Sequence, residues 1–386
     1  MNQTFKKWLT GVAVAVSLCG AMSASAQDAA KPADAAAPAV TTAAPAAPAA
    51  AAPEPVAHDV VLKDFRFRSG EALPELRSHY YTLGQPRRDA AGRITNAVLI
   101  LHGTGGTGRQ FLSPQFADVL FAPGGLLDPA THFIILPDGI GHGGSSKPSD
   151  GLRMAFPKYD YADMVEAEHA LVTQALGVQR LRLLMGTSMG CMHAFMWAET
   201  WPDAAQALMP LACQPAEIAG RNRLWRKMAM DLVMGDPLWQ GGNYNAQPRQ
   251  GLLAAQGIQL IAGGTPLPMQ LAMPTRQQVD DYLARDWPRR LEGLDANDYL
   301  YALAASRTYD PSRDLEKITA PMTWVNSADD FINPPELGLA EAAAKRLKTT
   351  RYVLIPTSKD THGHGTHTWA ALWKDELAAL LKRSGG

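Results

Sequence analysis

"LRLLMGTSMGCMHAF", residues 181–195, carries an apolar strand-like run into a small-residue turn centred on Ser188, and out again into a helix-like apolar stretch. Gly186 and Gly190 stand two positions to either side of the serine, where a tight strand-to-helix turn leaves no room for a Cβ. Such a turn pushes Ser188 Oγ out at the carboxyl end of a sheet. It also aims the Met189 amide and the helix N-terminus at the place where a tetrahedral oxyanion would form. This context favours an exposed nucleophile over a serine that merely caps a helix.

Working outward, the runs "AVLILH", "HFIILP", "LRLLMG", "ALMPLA", "MTWVN" and "RYVLIP" read as buried strands of a mostly parallel sheet, with "VVLKDFRF" and "RSHYYTL" as an opening pair. Helical periods lie between them. From Tyr161 to Leu176 one face collects Met164, Val165, Leu171, Val172 and Leu176, and a closing helix gathers Trp369, Leu372, Trp373, Leu377 and Leu380. Strands alternating with helices predict an α/β, doubly wound domain over 59–386. The alternation stops over about 214–318, a stretch rich in Met, Trp, Arg and Pro that reads as a helical lid insertion shaping an apolar acyl pocket.

Lys6 and Lys7 precede the apolar run from Trp8 to Leu18, and Ala24-Ser25-Ala26 offers a cleavage site, so residues 1–26 read as a signal peptide. The run is too short for a membrane anchor, and no integral membrane segment is expected after cleavage. Residues 27–58, dominated by Ala and Pro, read as a disordered tether. The expected location is periplasmic or secreted. Loss of Lys6 and Lys7 with no acid takes the formal net charge from −1 to −3, which argues against nucleic acid as a partner. Cys191 and Cys213 remain, and are expected as two buried thiols rather than a bridge.

A serine hydroxyl needs a base, and the base an orienting acid, in the chain order Ser, Asp or Glu, His. "NSADDFINPPE" supplies the acid and "KDTHGHGTHTWAALW" the base, each following a strand and so falling on the face that carries Ser188. Spacing leaves Asp329 and Asp330 open, the other being a solvated turn residue, and leaves His362, His364 and His367 open as well. A zinc site in "HGHGTH" is disfavoured because Thr366, not an acid, precedes the last histidine. No metal and no cofactor is expected. The second oxyanion donor is expected from "LILHGTGGTGRQF" at the Thr104 amide, whose glycines permit close approach but form no phosphate-binding motif. His142 in "PDGIGHGGSSKP" reads as structural.

Together these residues are similar to the α/β-hydrolase fold from about residue 59 to the end. Within it "FPKYDYADMVEAEHALVTQALGV", "GTSMGCMHAFMWAETWPD", "DPLWQGGNY" and "DDFINPPE" resemble the homoserine O-acetyltransferase branch and its hydrolase relatives. The resemblance implies Asp330, four residues before Pro334, as the acid, and His364 of a Gly-His pair as the base. This chain departs from the pattern at Thr187 and Cys191, where the family usually carries glycines. The resemblance also implies an arginine for an amino-acid carboxylate, for which Arg226 is a candidate; Arg221, Arg223 and Arg226 are otherwise expected as a solvated helix face.

Export leaves a transferase without cytosolic acetyl-CoA. The expected activity is therefore a serine hydrolase acting on a small-molecule acyl substrate such as an ester. The alternatives are a homoserine O-acetyltransferase-like acyltransferase and a non-catalytic hydrolase-fold binding protein. The lid also offers a surface for a homodimer.

Overall fold

Ala97–Leu101 are five consecutive buried residues, and Phe133–Pro137 and Leu183–Thr187 repeat the pattern. Apolar runs without alternation suit strands covered on both faces. The computed structural model describes residues 54–385; the expected leader at 1–26 and most of the tether lie outside the described residues. Eight strands form one sheet: β1 (Val56–Arg66), β2 (Ala72–Leu83), β3 (Ala97–Leu101), β4 (Phe133–Pro137), β5 (Leu183–Thr187), β6 (Leu208–Leu211), β7 (Met322–Ser327) and β8 (Thr350–Ile355). Their order is β1-β2-β4-β3-β5-β6-β7-β8, with β1 and β2 antiparallel and every pair from β4 to β8 parallel. The first strand begins at Val56, three residues earlier than the sequence boundary, because "VAH" already pairs with β2.

Among the described residues ten α-helices occur, in chain order α1 (Pro114–Leu120), α2 (Tyr161–Ala170), α3 (Met189–Thr200), α4 (Gly220–Gly235), α5 (Arg249–Gly263), α6 (Pro266–Ala272), α7 (Arg276–Arg285), α8 (Ala296–Ala304), α9 (Leu339–Ala344) and α10 (Lys374–Arg383). Side chains of a strand alternate in direction. Accordingly Val98 and Ile100 pack with Phe116, Trp373 and Leu377 of one layer, and Leu99 and Leu101 with Met164, Phe195 and Trp197 of the other. The closing helix starts only at Lys374. Two short 3₁₀ turns precede it, and Trp369 stands 40% exposed and stacked on His362 rather than on the helix's buried face.

Between β6 and β7 the chain leaves the sheet for α4 to α8, a helical insertion with an apolar centre of its own that includes Trp225, Val233, Leu252 and Leu303. It is fastened to the sheet domain where Asp298 accepts hydrogen bonds from the Ser149 amide and hydroxyl, at 2.8 and 2.6 Å.

Cys191 and Cys213 form a disulfide, correcting the expectation of two thiols. The reason is topological. The cysteines are 22 residues apart in sequence, but each lies just beyond the end of one of two neighbouring parallel strands, β5 and β6, and their Cα atoms stand 5.8 Å apart. Closing a loop of this length stabilises a fold by about 3 kcal/mol. Reduction, or Cys213→Ser, is expected to lower Tm by several degrees; both Cys191 and Cys213 titrating as free thiols in the oxidised protein would contradict the bridge.

Glu199, in the last turn of α3, is a second stability lever. Burial pushes its carboxyl up to about 8, helped by Asp314 and Asp310 and opposed by Lys317 and Arg346. The folded state thus holds this proton more tightly than the unfolded chain, so the group's contribution to stability falls as pH rises through that interval. The Tm difference between Glu199→Gln and the wild type is expected to grow in the variant's favour from pH 5 to 8. A difference constant across that range would count against the buried-proton account.

Candidate active site

Ser188 sits between the end of β5 and the start of α3 with φ +54° and ψ −109°, a backbone conformation side chains rarely adopt. Its neighbours leave little choice. A Cβ on Gly186 would collide with the Gly190 carbonyl, and one on Gly190 with the Leu101 carbonyl. The turn is then pinned by Ser188 N–H donating to Leu211 O and Gly190 N–H donating to His102 O, both at 2.9 Å. The serine side chain caps nothing in α3.

Ser188 Oγ instead lies 2.8 Å from His364 Nε2, and His364 Nδ1 lies 2.8 Å from Asp330 Oδ2. The three residues arrive from the carboxyl ends of β5, β7 and β8, which the parallel order places on one edge of the sheet. Asp330 is buried, and its carboxylate accepts from the Ile332 and Asn333 amides and from Asn333 Nδ2. Burial alone would raise its pKa. The charge and hydrogen bond of His364, with those from Asn333, outweigh that and hold it below the ordinary value. A carboxylate that stays ionised against the imidazole fixes the ring with Nδ1–H towards Asp330 and Nε2 free to accept from the serine.

Asp329 is not the solvated turn residue the sequence suggested. Its carboxylate accepts from the hydroxyls of Ser327, Thr361 and Thr265 and from the Gly363 amide, so it braces the acid loop, the histidine loop and the linker between α5 and α6. The three histidines also part company. His362 stacks on Trp369, and burial beside His364 pushes His367 down to about 3. Among the described residues no group of three or more His, Cys, Asp or Glu is arranged to hold a metal ion.

The loop after β3 runs directly against the serine: a Cβ on Gly103 would stand 3.3 Å from Ser188 Cβ. Among the described residues neither the Met189 nor the Thr104 amide donates to another protein group. Thr187, where a glycine was expected from the resemblance, has found a partner: its Oγ1 accepts from Gln110 Nε2 at 2.9 Å, and Gln110 Oε1 in turn reaches the Gly103 amide at 3.4 Å. Sequence reading missed Gln110 because nothing local connects a glutamine in a 3₁₀ turn with a strand end 77 residues away.

Of the α4 arginines expected on a solvated face, Arg221 is exposed and Arg223 half-buried, but Arg226 is buried. Arg226 is 1% exposed, with Nε donating to Asn222 Oδ1 and Nη1 without a partner among the described residues, whereas Arg221 lies over the Phe331 ring at 3.4 Å and donates to its carbonyl. A cavity of about 960 Å³ opens between the start of the lid, the α5–α6 linker and the acid loop. Ile218, Ile261, Met269 and Phe331 line it, and its wall includes Met192 and Asp330 but neither Ser188 nor His364.

The family profile described as alpha/beta hydrolase fold matches residues 96–362. A homoserine O-acetyltransferase of Moorella thermoacetica is 31% identical over 308 residues, 69% of this chain and 80% of that protein. Among solved structures, a homoserine O-acetyltransferase from Bacillus anthracis superposes with TM-score 0.75 at 20% identity, over 85% of this chain and 98% of that one. An acetylester hydrolase from Corynebacterium glutamicum gives 0.73, also at 20% identity, over 85% of this chain and 96% of that one.

The two neighbouring carboxylates are separable by experiment. Asp330→Asn is expected to slow fluorophosphonate labelling of Ser188 on the order of 10⁴-fold with little change in Tm, since it spoils the histidine tautomer and leaves the geometry intact. Asp329→Asn should lower Tm and cost labelling less than about tenfold. Equal losses from both variants would remove the distinction between orienting acid and brace.

Proposed function

The chain belongs to the α/β-hydrolase fold family, in its homoserine O-acetyltransferase-like branch, and from that premise we propose that it is an exported serine hydrolase cleaving carboxylic esters through an acyl-enzyme on Ser188. The observation that carries the reading is the unbroken chain from Ser188 Oγ through His364 to Asp330, with both links at 2.8 Å.

In this mechanism Ser188 Oγ attacks the acyl carbon while its proton passes to His364 Nε2. Asp330, bonded at Nδ1, stabilises the imidazolium. The carbonyl oxygen takes up negative charge opposite the Met189 and Thr104 amides, with the N-terminal end of α3 adding its dipole. Collapse breaks the ester bond, and His364 returns the proton to the departing alcohol. Water then attacks the acyl-enzyme with His364 taking its proton, the bond to Ser188 Oγ breaks as His364 returns that proton to the serine, and the carboxylic acid leaves.

Export is supported by the charged and apolar pattern of residues 1–26 and by the Cys191–Cys213 disulfide, a bond typical of oxidising compartments. There acetyl-CoA is absent and water is the abundant acceptor. Acyl transfer is the second reading, and Arg226 favours it: a buried guanidinium with Nη1 unpaired suits an acceptor bearing a carboxylate.

Mature protein is to be assayed with p-nitrophenyl esters of graded chain length, with and without acetyl-CoA plus homoserine, beside Ser188→Ala. Ester hydrolysis falling about 10⁴-fold or more in the variant, with no CoA release, is the expected result. Serine-dependent CoA release that requires homoserine would replace hydrolysis with acyl transfer.

A further inference from the structure

The loop that follows β4, "GIGHGGS" at residues 139–145, lies outside the triad yet grips the loop that carries the Thr104 amide. Gly141 and Gly143 have φ of +83° and +51°, and a Cβ on either would collide, with the Tyr159 hydroxyl and the Asp138 carboxylate respectively. Between these two turns His142 is driven inward and buried. Its Nε2 lies 2.8 Å from Thr104 O, and its Nδ1 2.9 Å from Ile140 O.

A peptide unit is planar, so the direction of an N–H is set by whatever holds the carbonyl of the same unit. The Thr104 N–H shares its plane with the Gly103 carbonyl, which lies 2.8 Å from His102 Nδ1 and accepts from the Gly106 amide at 2.9 Å. His102 Nε2 accepts from the Gly139 amide at 2.9 Å, which fixes the His102 proton on Nδ1. The next peptide plane, carrying Thr104 O, has His142 as its side-chain anchor. Both planes flanking the Thr104 Cα are therefore held, one through His102 and the other by His142, and both anchors trace to the same β4 loop. The two imidazoles pack at 4.9 Å between centroids.

We propose that His142, in its Nε2–H tautomer, is a positioning residue for ester hydrolysis: by donating to the Thr104 carbonyl it fixes the peptide plane after the Thr104 Cα, as His102 fixes the plane before it, and the two together keep the Thr104 amide in line with the oxyanion. The proposal rests on the hydrolase reading of the site. His142 touches neither substrate nor the reacting atoms. Its loss frees one of the two planes that position a donor whose full removal from an oxyanion hole costs about 10²–10³ in kcat. A tilted donor should lose part of that.

Three variants test the idea with a short-chain p-nitrophenyl ester and, separately, with the rate of fluorophosphonate labelling. His142→Leu fills similar space with no donor, His142→Gln keeps an N–H within reach, and His142→Asn falls short of Thr104. For His142→Leu, kcat and labelling rate are expected to fall together by about 10- to 100-fold, with KM within about threefold of wild type. His142→Gln should recover most of that loss at a Tm matching the leucine variant, a rescue that a purely structural role would not give. If the leucine variant does not fold, the contrast between Gln and Asn repeats the comparison. Leucine and glutamine variants with equal kcat, a leucine variant as fast as wild type, or a change confined to KM would each overturn the proposal. A wild-type protein inert to both probes would instead remove the hydrolase reading, and this proposal with it.

Discussion

The hydrogen bond from the Gly190 amide to the His102 carbonyl joins the two loops on which everything else at this site depends. On one side is the turn that holds Ser188 at a positive φ, a conformation that costs a non-glycine residue on the order of 1–3 kcal/mol and persists only where the surroundings over-determine it. On the other is the loop that brings Gly103 against the serine. The bond forms only because both glycines of the elbow are bare, so α3 can approach β3 until backbone meets backbone. A larger residue at Gly190 would separate the nucleophile from the Thr104 loop and relax the turn at once. The strain is thus carried by the same sheet that the apolar strands build.

Two adjacent carboxylates share the work on the far side of the serine. Asp330 faces inward and gives its oxygens to one imidazole and to the Asn333 side chain and the loop amides, so its ionised form is stabilised although it is buried. Asp329 faces the opposite way and collects three hydroxyls and an amide from separate segments. Reversing their directions would leave the histidine without an orienting acid and the lid linker without its anchor. The pair works as a junction: the Gly363 amide bonded to Asp329 precedes the very histidine that Asp330 orients.

The sheet was legible because buried parallel strands need continuous apolar runs, and "AVLILH" or "LRLLMG" fit little else. The elbow was legible for a steric reason that acts within five residues. Asp329 against Asp330 was not, because both follow the same strand and the choice depends on which way the turn after Ser327 rotates; the resemblance, not spacing, singled out Asp330. The disulfide escaped for the same class of reason. Cys191 and Cys213 look unrelated along the chain and become neighbours only once β5 and β6 pair. Arg226 shows the limit of periodicity: a polar residue on an amphipathic helix reads as solvated, yet in the folded insertion it is buried.

These long-range connections converge on one short segment. Ala212 and Cys213 leave β6 towards the lid, and Ala212 turns there with φ +63°. The Ala212 carbonyl accepts from Asn333 Nδ2, the same nitrogen that bonds Asp330, and the Cys213 carbonyl accepts from Trp324 Nε1 and Asn326 Nδ2. The disulfide ties that segment back to the first turn of α3, where Ser188 sits. The base of the lid is therefore attached to the nucleophile helix by a covalent bond and to the acid loop by hydrogen bonds. Motion of the lid has to hinge beyond Cys213, and the spacing between serine and acid is held whatever the lid above it does.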